Sequence, residues 1–465
     1  MNMNKKTAAA VIKFLVSVTA GVLIAVVPQP AGALTVEGLR FLGILIAMVL
    51  LMVFKVFPDP VTVLIALTAC IAFGVAEAPT CFSGFTSTTV WMAVGLIGFA
   101  TGIINSGLMK RIAYKIMGWF KPTYKGQITS IMVAGTILGP CMPNTQAKVA
   151  IMAPFSAEMC DILGFENNSK GAAGLFSAMF YSCNHFGFCF LTGSTSAYLM
   201  MGLMPGLDFT WLGWAGATIV WGLVCTVGYY FFNTRYYKVE TKELPADFTR
   251  QKLKEMGPMS GNEKFAAAVL IIGIIAWMTT SITGLDSLVI TMVLWLAMTA
   301  KGLFKAPEIQ TRIPWTVIIM MGGINGVATL FSSTGVSAWM QEVIAPYLSS
   351  IVPNVFVLVI VVTVITYILR YAVMSIMATT TIMFSVFAPL CATMGISPFV
   401  VVWTAYVAGN LWSTAFNNTN YILAEGMFQN RIGWKQAAPS NYFYMVINLL
   451  GNLACIPVWN MLGLA

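Results

Sequence analysis

The chain has 465 residues, of which 58% are hydrophobic and 9% charged, with a net charge of +9 and a mean hydropathy of +0.83. Water-soluble domains carry about 25% charged residues, so this composition excludes a chain whose whole surface is solvated by water and demands lipid over most of its length. The 25 basic against 16 acidic residues do not point to nucleic acid, because Lys and Arg gather in short loops between apolar runs, where they set membrane orientation.

In chain order, a basic start (Lys5, Lys6) precedes an apolar run at 8–28. Ala31-Gly32-Ala33 resembles a signal-cleavage site, but the run is long enough to span and is read as the first transmembrane helix. Further spans fall near 38–57, 60–76 and 88–109, followed by a basic amphipathic stretch at 110–125 that suits the headgroup region. Residues 127–163 are apolar but interrupted at Gly139-Pro140 and Pro143; 171–204 is broken around 184–196; and 209–232 is a clean span. The polar segment 234–262 separates this half from spans near 264–283, 286–304 and 315–334, an interrupted stretch at 354–392, another interrupted span at 397–424 and a last span at 441–462. The nine cysteines are scattered singly, with no spacing for a metal site or a disulfide framework.

Charge asymmetry decides how the interrupted stretches cross. If 127–163 and 354–392 are hairpins that return to their own side, then 110–125, 234–262, the Lys301/Lys305/Arg312 loop and the Arg431/Lys435 loop all share the side of Lys5 and Lys6. The opposite loops near 30–36, 77–86, 205–208 and 393–396 then carry no Lys or Arg. The expected fold is therefore an all-α polytopic inner-membrane protein with about eleven transmembrane helices plus two re-entrant hairpins, its N-terminus cytoplasmic and its C-terminus exterior.

The halves repeat. Ala100-Thr101 to Gly107-Leu108 matches Ala328-Thr329 to Gly335-Val336 in spacing, and each copy is followed by an interrupted stretch containing an Ala-Pro pair, Ala153-Pro154 and Ala388-Pro389. The crossing count gives the copies opposite orientations, and paired broken helices in inverted repeats mark a transporter's binding site near the midplane. For Gly107 and Gly335 alone, close helix packing is the simpler explanation. The first tip reads Gly139-Pro140-Cys141-Met142-Pro143-Asn144-Thr145, the second Ser375-Ile376-Met377-Ala378-Thr379-Thr380. Half-helix N–H groups suit an anion there and freed carbonyls a sodium ion.

These tips resemble those of the divalent-anion/sodium symporters, the dicarboxylate–citrate carriers, whose hallmark is a Ser-Asn-Thr triplet at each of two hairpin tips. Pro143-Asn144-Thr145 is similar to the first triplet with its first position changed. Ser83 to Trp91, Phe190-Leu191-Thr192-Gly193-Ser194 and Pro314-Trp315-Thr316-Val317 also look alike, and the likeness runs in order from about residue 38. At the second tip Ala378-Thr379-Thr380 lacks the asparagine, and Asn418-Thr419-Asn420 replaces a proline-containing turn.

The resemblance implies a homodimer in the bilayer and elevator movement of a small di- or tricarboxylate with sodium as coupling ion, without a cofactor. It divides the chain into scaffold at 1–125, transport elements at 126–208, scaffold again at 209–350, transport elements at 351–430 and a final span at 431–465. The substrate set it implies is Asn144, Thr145, Thr379, Thr380, Ser194, Asn418 and Thr419, and the sodium set Gly139, Pro143, Asn144, Gly187, Ser375, Ala378 and Asn417. Lys148, one turn from Asn144, either meets a substrate carboxylate or a sodium position when buried, or snorkels to the cytoplasm. His185, the single histidine, is read as hydrogen-bonded core ahead of proton coupling, Arg370 as an exterior anchor ahead of a substrate attractor, and Glu425 as a solvated or paired carboxylate near the cytoplasmic end of its span. Sodium-independent exchange, proton symport and carriage of another divalent anion such as sulfate are the alternatives within transport. A membrane enzyme would need an acid or His/Asp/Ser constellation that one histidine and few intramembrane carboxylates do not supply.

Overall fold

The computed structural model describes residues 5–26, 34–143, 145–204, 206, 207, 209–239, 245, 248–343, 351–373, 375–412 and 418–465. Every regular element among them is helical. The first half comprises α1 (Lys5–Val26), α2 (Val36–Val53), α3 (Asp59–Ala72), α4 (Thr88–Asn105), α5 (Leu108–Met117), α6 (Tyr124–Cys141), α7 (Thr145–Ile162), α8 (Lys170–Asn184), α9 (Thr195–Gly202) and α10 (Trp211–Tyr236). The second comprises α11 (Phe248–Glu255), α12 (Gly261–Met278), α13 (Ser287–Ala300), α14 (Trp315–Ser333), α15 (Val336–Val343), α16 (Val355–Ala372), α17 (Ile376–Met394), α18 (Phe399–Gly409), α19 (Thr419–Met427) and α20 (Trp434–Met461). Among the described residues seven helices, α2, α4, α10, α12, α14, α17 and α20, are long and apolar enough to cross a membrane. The chain is an all-helical polytopic membrane protein.

α4 and α14 are the central pillars: 72% and 67% of their apolar windows are buried, against 33–50% in the other five. Glycines let their neighbours in. Gly95, Gly98 and Gly102 of α4 lie against Met292, Trp295 and Met298 of α13, while Gly322, Gly323 and Gly326 of α14 lie against Phe85, Val63 of α3 and the Cys81 carbonyl. Each pillar is thus packed by the helix that precedes the other pillar. Small residues at a lipid-embedded contact bring backbones close enough for dispersion to hold them where no hydrophobic effect acts between helices.

Gly107 and Gly335 have a different role from the close packing expected for them. Their φ angles are +83° and +74°, and an added Cβ would meet nothing closer than 3.9 Å at Gly107 and nothing within 4 Å at Gly335. Left-handed backbone, not space, requires glycine there. Each turns the chain off the end of a pillar into a short helix, α5 or α15.

Both interrupted stretches fold as helical hairpins with three-residue links, α6–α7 through 142–144 and α16–α17 through 373–375. α8 and α9 flank one break, α18 and α19 the other. α10 packs along α20 and also against α6 and α8, so it lies among the hairpin elements. Polar side chains stitch this group: Trp221 Nε1 donates to Asn448 Oδ1 at 2.8 Å, Tyr229 hydroxyl to the Ser440 carbonyl at 2.6 Å, and Trp459 Nε1 to the Ala217 carbonyl at 2.8 Å.

The basic segments lie at one end. Arg111 reaches the carbonyls of 256–258, Lys252 pairs with Glu158 at 2.8 Å, Arg431 with Asp161 at 2.6 Å, and Asn105 donates to the Leu303 carbonyl at 2.8 Å. The Glu158 carboxylate holds the Lys252 ammonium above its ordinary pKa. At the far end Ser397 N–H donates to the Leu464 carbonyl at 2.9 Å, joining a loop without Lys or Arg to the C-terminus.

The stretch expected at the headgroups is only partly a surface helix. Lys110 and Lys115 of α5 are exposed, whereas Arg111 is buried and forms a two-oxygen pair with buried Glu263 at 2.7 and 3.2 Å. Glu263 also closes a capping box with Ser260 at the start of α12. Removing one partner of such a pair leaves an uncompensated charge. Arg111→Ala should therefore destabilise the protein by about 3–5 kcal/mol, read as a fall in unfolding temperature in detergent, with Arg111→Lys intermediate.

Candidate functional site

The first hairpin tip and the first helix break are one assembly. α6 ends at Cys141 after Pro140, and Pro143 has no N–H with which to close a helical bond on the Gly139 carbonyl. α8 ends at Asn184, and two short 3₁₀ turns, Phe186–Cys189 and Leu191–Gly193, lead to α9. The freed backbone groups find each other. Thr192 hydroxyl donates to the Pro140 carbonyl at 2.6 Å and accepts from Trp211 Nε1 at 3.1 Å, and Thr195 N–H donates to the Pro143 carbonyl at 3.3 Å. Ser194 caps α9, accepting from Ser196 N–H at 3.3 Å.

Lys148 settles its alternative: it is fully buried, does not snorkel, and donates from Nζ to the Gly193 carbonyl at 3.2 Å. The glycines around it are there for close approach. A Cβ on Gly187 would sit 2.5 Å from Lys148 Nζ, 2.7 Å from the Gly193 oxygen and 3.5 Å from the Gly139 oxygen. One on Gly193 would collide with the carbonyls of Gly187 and Gly139. Of the expected set, Gly139, Pro143, Gly187 and Ser194 come together here with Thr145 at the start of α7; Asn144 lies outside the described residues.

At the second tip Ser375 caps α17, accepting from Ala378 N–H at 3.2 Å. Ala378, Thr379 and Thr380 are buried, and both threonine hydroxyls donate back to their own helix, to Ser375 and Ile376 carbonyls at 3.0 and 2.9 Å, keeping lone pairs for an incoming donor. Asn418 bridges its break: Oδ1 accepts from Asn420 and Tyr421 N–H at 3.0 and 3.2 Å, and Nδ2 donates to the Asn410 and Leu411 carbonyls at 3.0 and 3.4 Å. Asn417 and the side chain of Thr419 lie outside the described residues.

Arg370 decides against the first of its two readings. It is not an exterior anchor but fully buried in the last turn of α16, where Nη1 donates to the Val373 carbonyl at 2.7 Å and its stem approaches Gly409 at the end of α18. The signal was present in the stripe Thr363, Thr366, Arg370, whose spacing of three and four places all of them on the buried face of α16. The length of the preceding apolar run masked it.

The two assemblies touch. Asn420 Nδ2 donates to Asn184 Oδ1 at 2.9 Å, and His185 packs between Tyr181, Tyr444 and Trp412 with ring centres 5.3, 4.3 and 5.5 Å away. The histidine is core, as expected, but held mainly by aromatic packing, with Nε2 3.4 Å from Asn184 Nδ2. Glu425 is half-buried, accepts from the Tyr421 hydroxyl at 3.4 Å and is the paired carboxylate expected in α19.

The electrostatics of the region are one-signed. α7, α9, α17 and α19 all begin at a tip or a break, so four positive helix ends face it, together with Lys148 and Arg370. Residues 126–157, 167–207 and 343–424 contain no Asp or Glu, and the described ion pairs lie elsewhere. Such a field favours an anion over a cation.

A family model described as the sodium:sulfate symporter transmembrane region matches residues 8–464. The chain belongs to this transporter family. It is 26% identical over 360 residues to the inner membrane protein YbhI of Escherichia coli, covering 73% of this chain and 74% of that one. It is also 26% identical over 358 residues to the putative malate transporter YflS of Bacillus subtilis, covering 73% of each. With dicarboxylate transporter 2 of Spinacia oleracea it shares 24% identity over 353 residues, 73% of this chain and 62% of the relative. The fold resembles the crystal structure of the Alcanivorax borkumensis YdaH transporter, with a TM-score of 0.58, 15% identity and coverage of 98% and 97%. The multi-pass membrane location and the symporter resemblance expected from the sequence agree with these matches.

Substitution of Gly187 by Ala places a methyl against the Lys148 ammonium, so Gly187→Ala should cost about 1–3 kcal/mol of stability by overpacking. Gly206→Ala, at a position where an added Cβ meets nothing within 4 Å, tests backbone strain without crowding; the two melting temperatures measured side by side check the assignment.

Proposed function

We propose that the chain moves a small di- or tricarboxylate across the inner membrane by an elevator mechanism. The observation that carries this is the convergence of four helix N-termini and two buried cations on one acid-free region formed by two hairpin tips and two breaks. Carboxylates fit that field, and the printed names of the spinach and Bacillus relatives, a dicarboxylate and a putative malate transporter, favour them over sulfate.

In this reading the eleven crossings are α1, α2, α3, α4, α8 with α9, α10, α12, α13, α14, α18 with α19, and α20, and the two hairpins are re-entrant. Support for re-entrance is that the first tip bonds to backbone in the middle of a broken span. The halves are inverted repeats, supported by the reciprocal packing of α3 on α14 and α13 on α4. The basic end faces the cytoplasm by the positive-inside bias.

The moving body comprises α6–α10 and α16–α20, with α10 counted here because of its packing, and the scaffold comprises α1–α4 and α12–α14. α9 crosses the scaffold pillars at Gly202, where a Cβ would collide with the Asn325 amide of α14, itself bonded to Ser87 and Thr89 hydroxyls at 3.0 and 3.2 Å. The symporter resemblance adds a homodimer and substrate contacts from Asn144, Thr145, Thr379 and Thr380.

The test is thermal unfolding of purified protein with succinate, malate, citrate, sulfate or phosphate. A true ligand at a hundred times its Kd stabilises by about 2.7 kcal/mol, and Asn144→Ala should weaken succinate binding at least about tenfold, or about 1.4 kcal/mol. Stabilisation by sulfate alone would reassign the substrate, and no response to any anion would refute the carrier.

A further inference from the structure

We propose that a trough between α1 and α3 holds one acyl chain of a bilayer phospholipid with a phosphoethanolamine headgroup, its phosphate on Arg40 and its ammonium on Glu37. Which anion the protein carries does not bear on this site.

α1 and α3 both pack along α2 and scarcely touch each other. α1 meets α2 at a close crossing, where a Cβ on Gly21 would lie 2.5 Å from the Gly43 oxygen. The space left between α1 and α3 is a trough of about 380 Å³. Gly43 and Ala47 of α2 lie along it with Val18 and Val22 of α1 and Ile65 and Ala69 of α3. Phe14, edge-to-face with Phe57 at 6.1 Å, stands at one end, and Arg40 with Phe73 at the other. Apart from Arg40 the polar lining is Thr62, whose hydroxyl is engaged by its own helix at the Pro58 carbonyl, 3.3 Å away.

The shape selects a slender occupant. From Arg40 to Leu51 the axis of α2 rises about 17 Å, close to the depth of one leaflet in a hydrocarbon core about 30 Å thick. A helix with its side chains is about 10 Å across, so that length of one occupies on the order of 1,300 Å³. The trough offers less than a third of this, whereas a single extended hydrocarbon chain fits. Lipid tails are as apolar as the walls, so the chain is held by packing alone and selection falls to the headgroup.

The mouth supplies the selection. The neighbouring loops near 30–36 and 77–86 carry no Lys or Arg, yet Arg40 is exposed there, with Nη1 donating to the Phe73 carbonyl at 2.9 Å. Its remaining donors form a fork suited to a phosphate. Glu37, also exposed, continues the stripe Arg40, Ile44, Ala47, Leu51 one turn nearer the helix start. Among the described residues neither Glu37 nor Arg40 is in an ion pair. Outward from the trough the order is therefore apolar wall, cation, carboxylate. A phosphoethanolamine lipid has the complementary order: acyl chain, phosphate, primary ammonium. A phosphoglycerol headgroup would bring no cation to Glu37, and a choline has no N–H to donate to it.

The experiment takes the delipidated full chain in detergent and adds phosphatidylethanolamine, phosphatidylglycerol or phosphatidylcholine with the same acyl chains. Melting temperature and lipid retention in native mass spectrometry are read together. Phosphatidylethanolamine should raise the melting temperature and bind at least about tenfold more tightly than the other two. Arg40→Ala should lose about tenfold of that affinity, and Glu37→Gln should bring phosphatidylethanolamine and phosphatidylglycerol within about twofold of each other. Equal binding of the three lipids by the unaltered protein, or undiminished binding by Arg40→Ala, overturns the proposal. Ala69→Trp fills the trough and should abolish retention with the oligomeric state unchanged; a changed oligomeric state with retention intact assigns the trough to a second copy of the chain and overturns it too. Should Ala69→Trp fail to fold, the two exposed-site variants decide. All of these readouts are of lipid binding, so their failure leaves the carrier reading untouched.

Discussion

A peptide backbone that leaves the helix inside a bilayer has no water to bond to, and each unsatisfied group costs several kcal/mol. That constraint shapes the centre of this protein. The breaks after Asn184 and Gly409 are tolerated because other parts of the chain supply the missing partners: Thr192 for Pro140, Pro143 for Thr195, and the Asn418 amide for both sides of its own gap. Ser194 and Ser375 cap the helices that restart. The same constraint explains the glycines, since backbone groups can meet across a tip only where no Cβ stands between them. Gly187 and Gly193 occupy those positions.

Interrupting a helix also divides its dipole. A continuous span has its charged ends in water, whereas a broken one places a carbonyl end and an N–H end at the midplane. Two hairpins and two broken spans therefore put both kinds of end in one region, beside the buried Lys148 and Arg370. A buried ammonium is expensive unless its donors are met and its charge is balanced. Lys148 meets the first condition in part, through one bond to the Gly193 carbonyl, and an anionic cargo would meet the second.

Around this region the packing is close. The rings of Tyr181, His185, Trp412 and Tyr444 fill the space between the breaks, and indole-to-amide bonds tie α10 and α18 to α20. Where α9 meets α4 and α14, small residues prevail. The fold persists at 15% identity to the Alcanivorax transporter because helix breaks, glycines and caps obey backbone physics, while side chains facing the ligand are free to change.

The sequence by itself determined the solvent, the order of apolar segments, the gathering of basic residues in loops and the positions of the breaks. Each is written locally, in hydrophobic run length, in Lys and Arg between runs, and in residues such as Pro140, Pro143 and Asn418 that end or cap helices. It also named Lys148 without deciding whether it reached solvent, and it left Arg370 between an exterior anchor and a substrate attractor. Only the tertiary structure could decide those two, because burial depends on which element covers a side chain. Gly193 and Gly187 belong to a segment 45 and 39 residues beyond Lys148, and Gly409 to one 39 residues beyond Arg370. Gly107 and Gly335 teach the same lesson in reverse: the repeat was legible as a spacing, but the left-handed turn that requires glycine was visible only in the backbone angles.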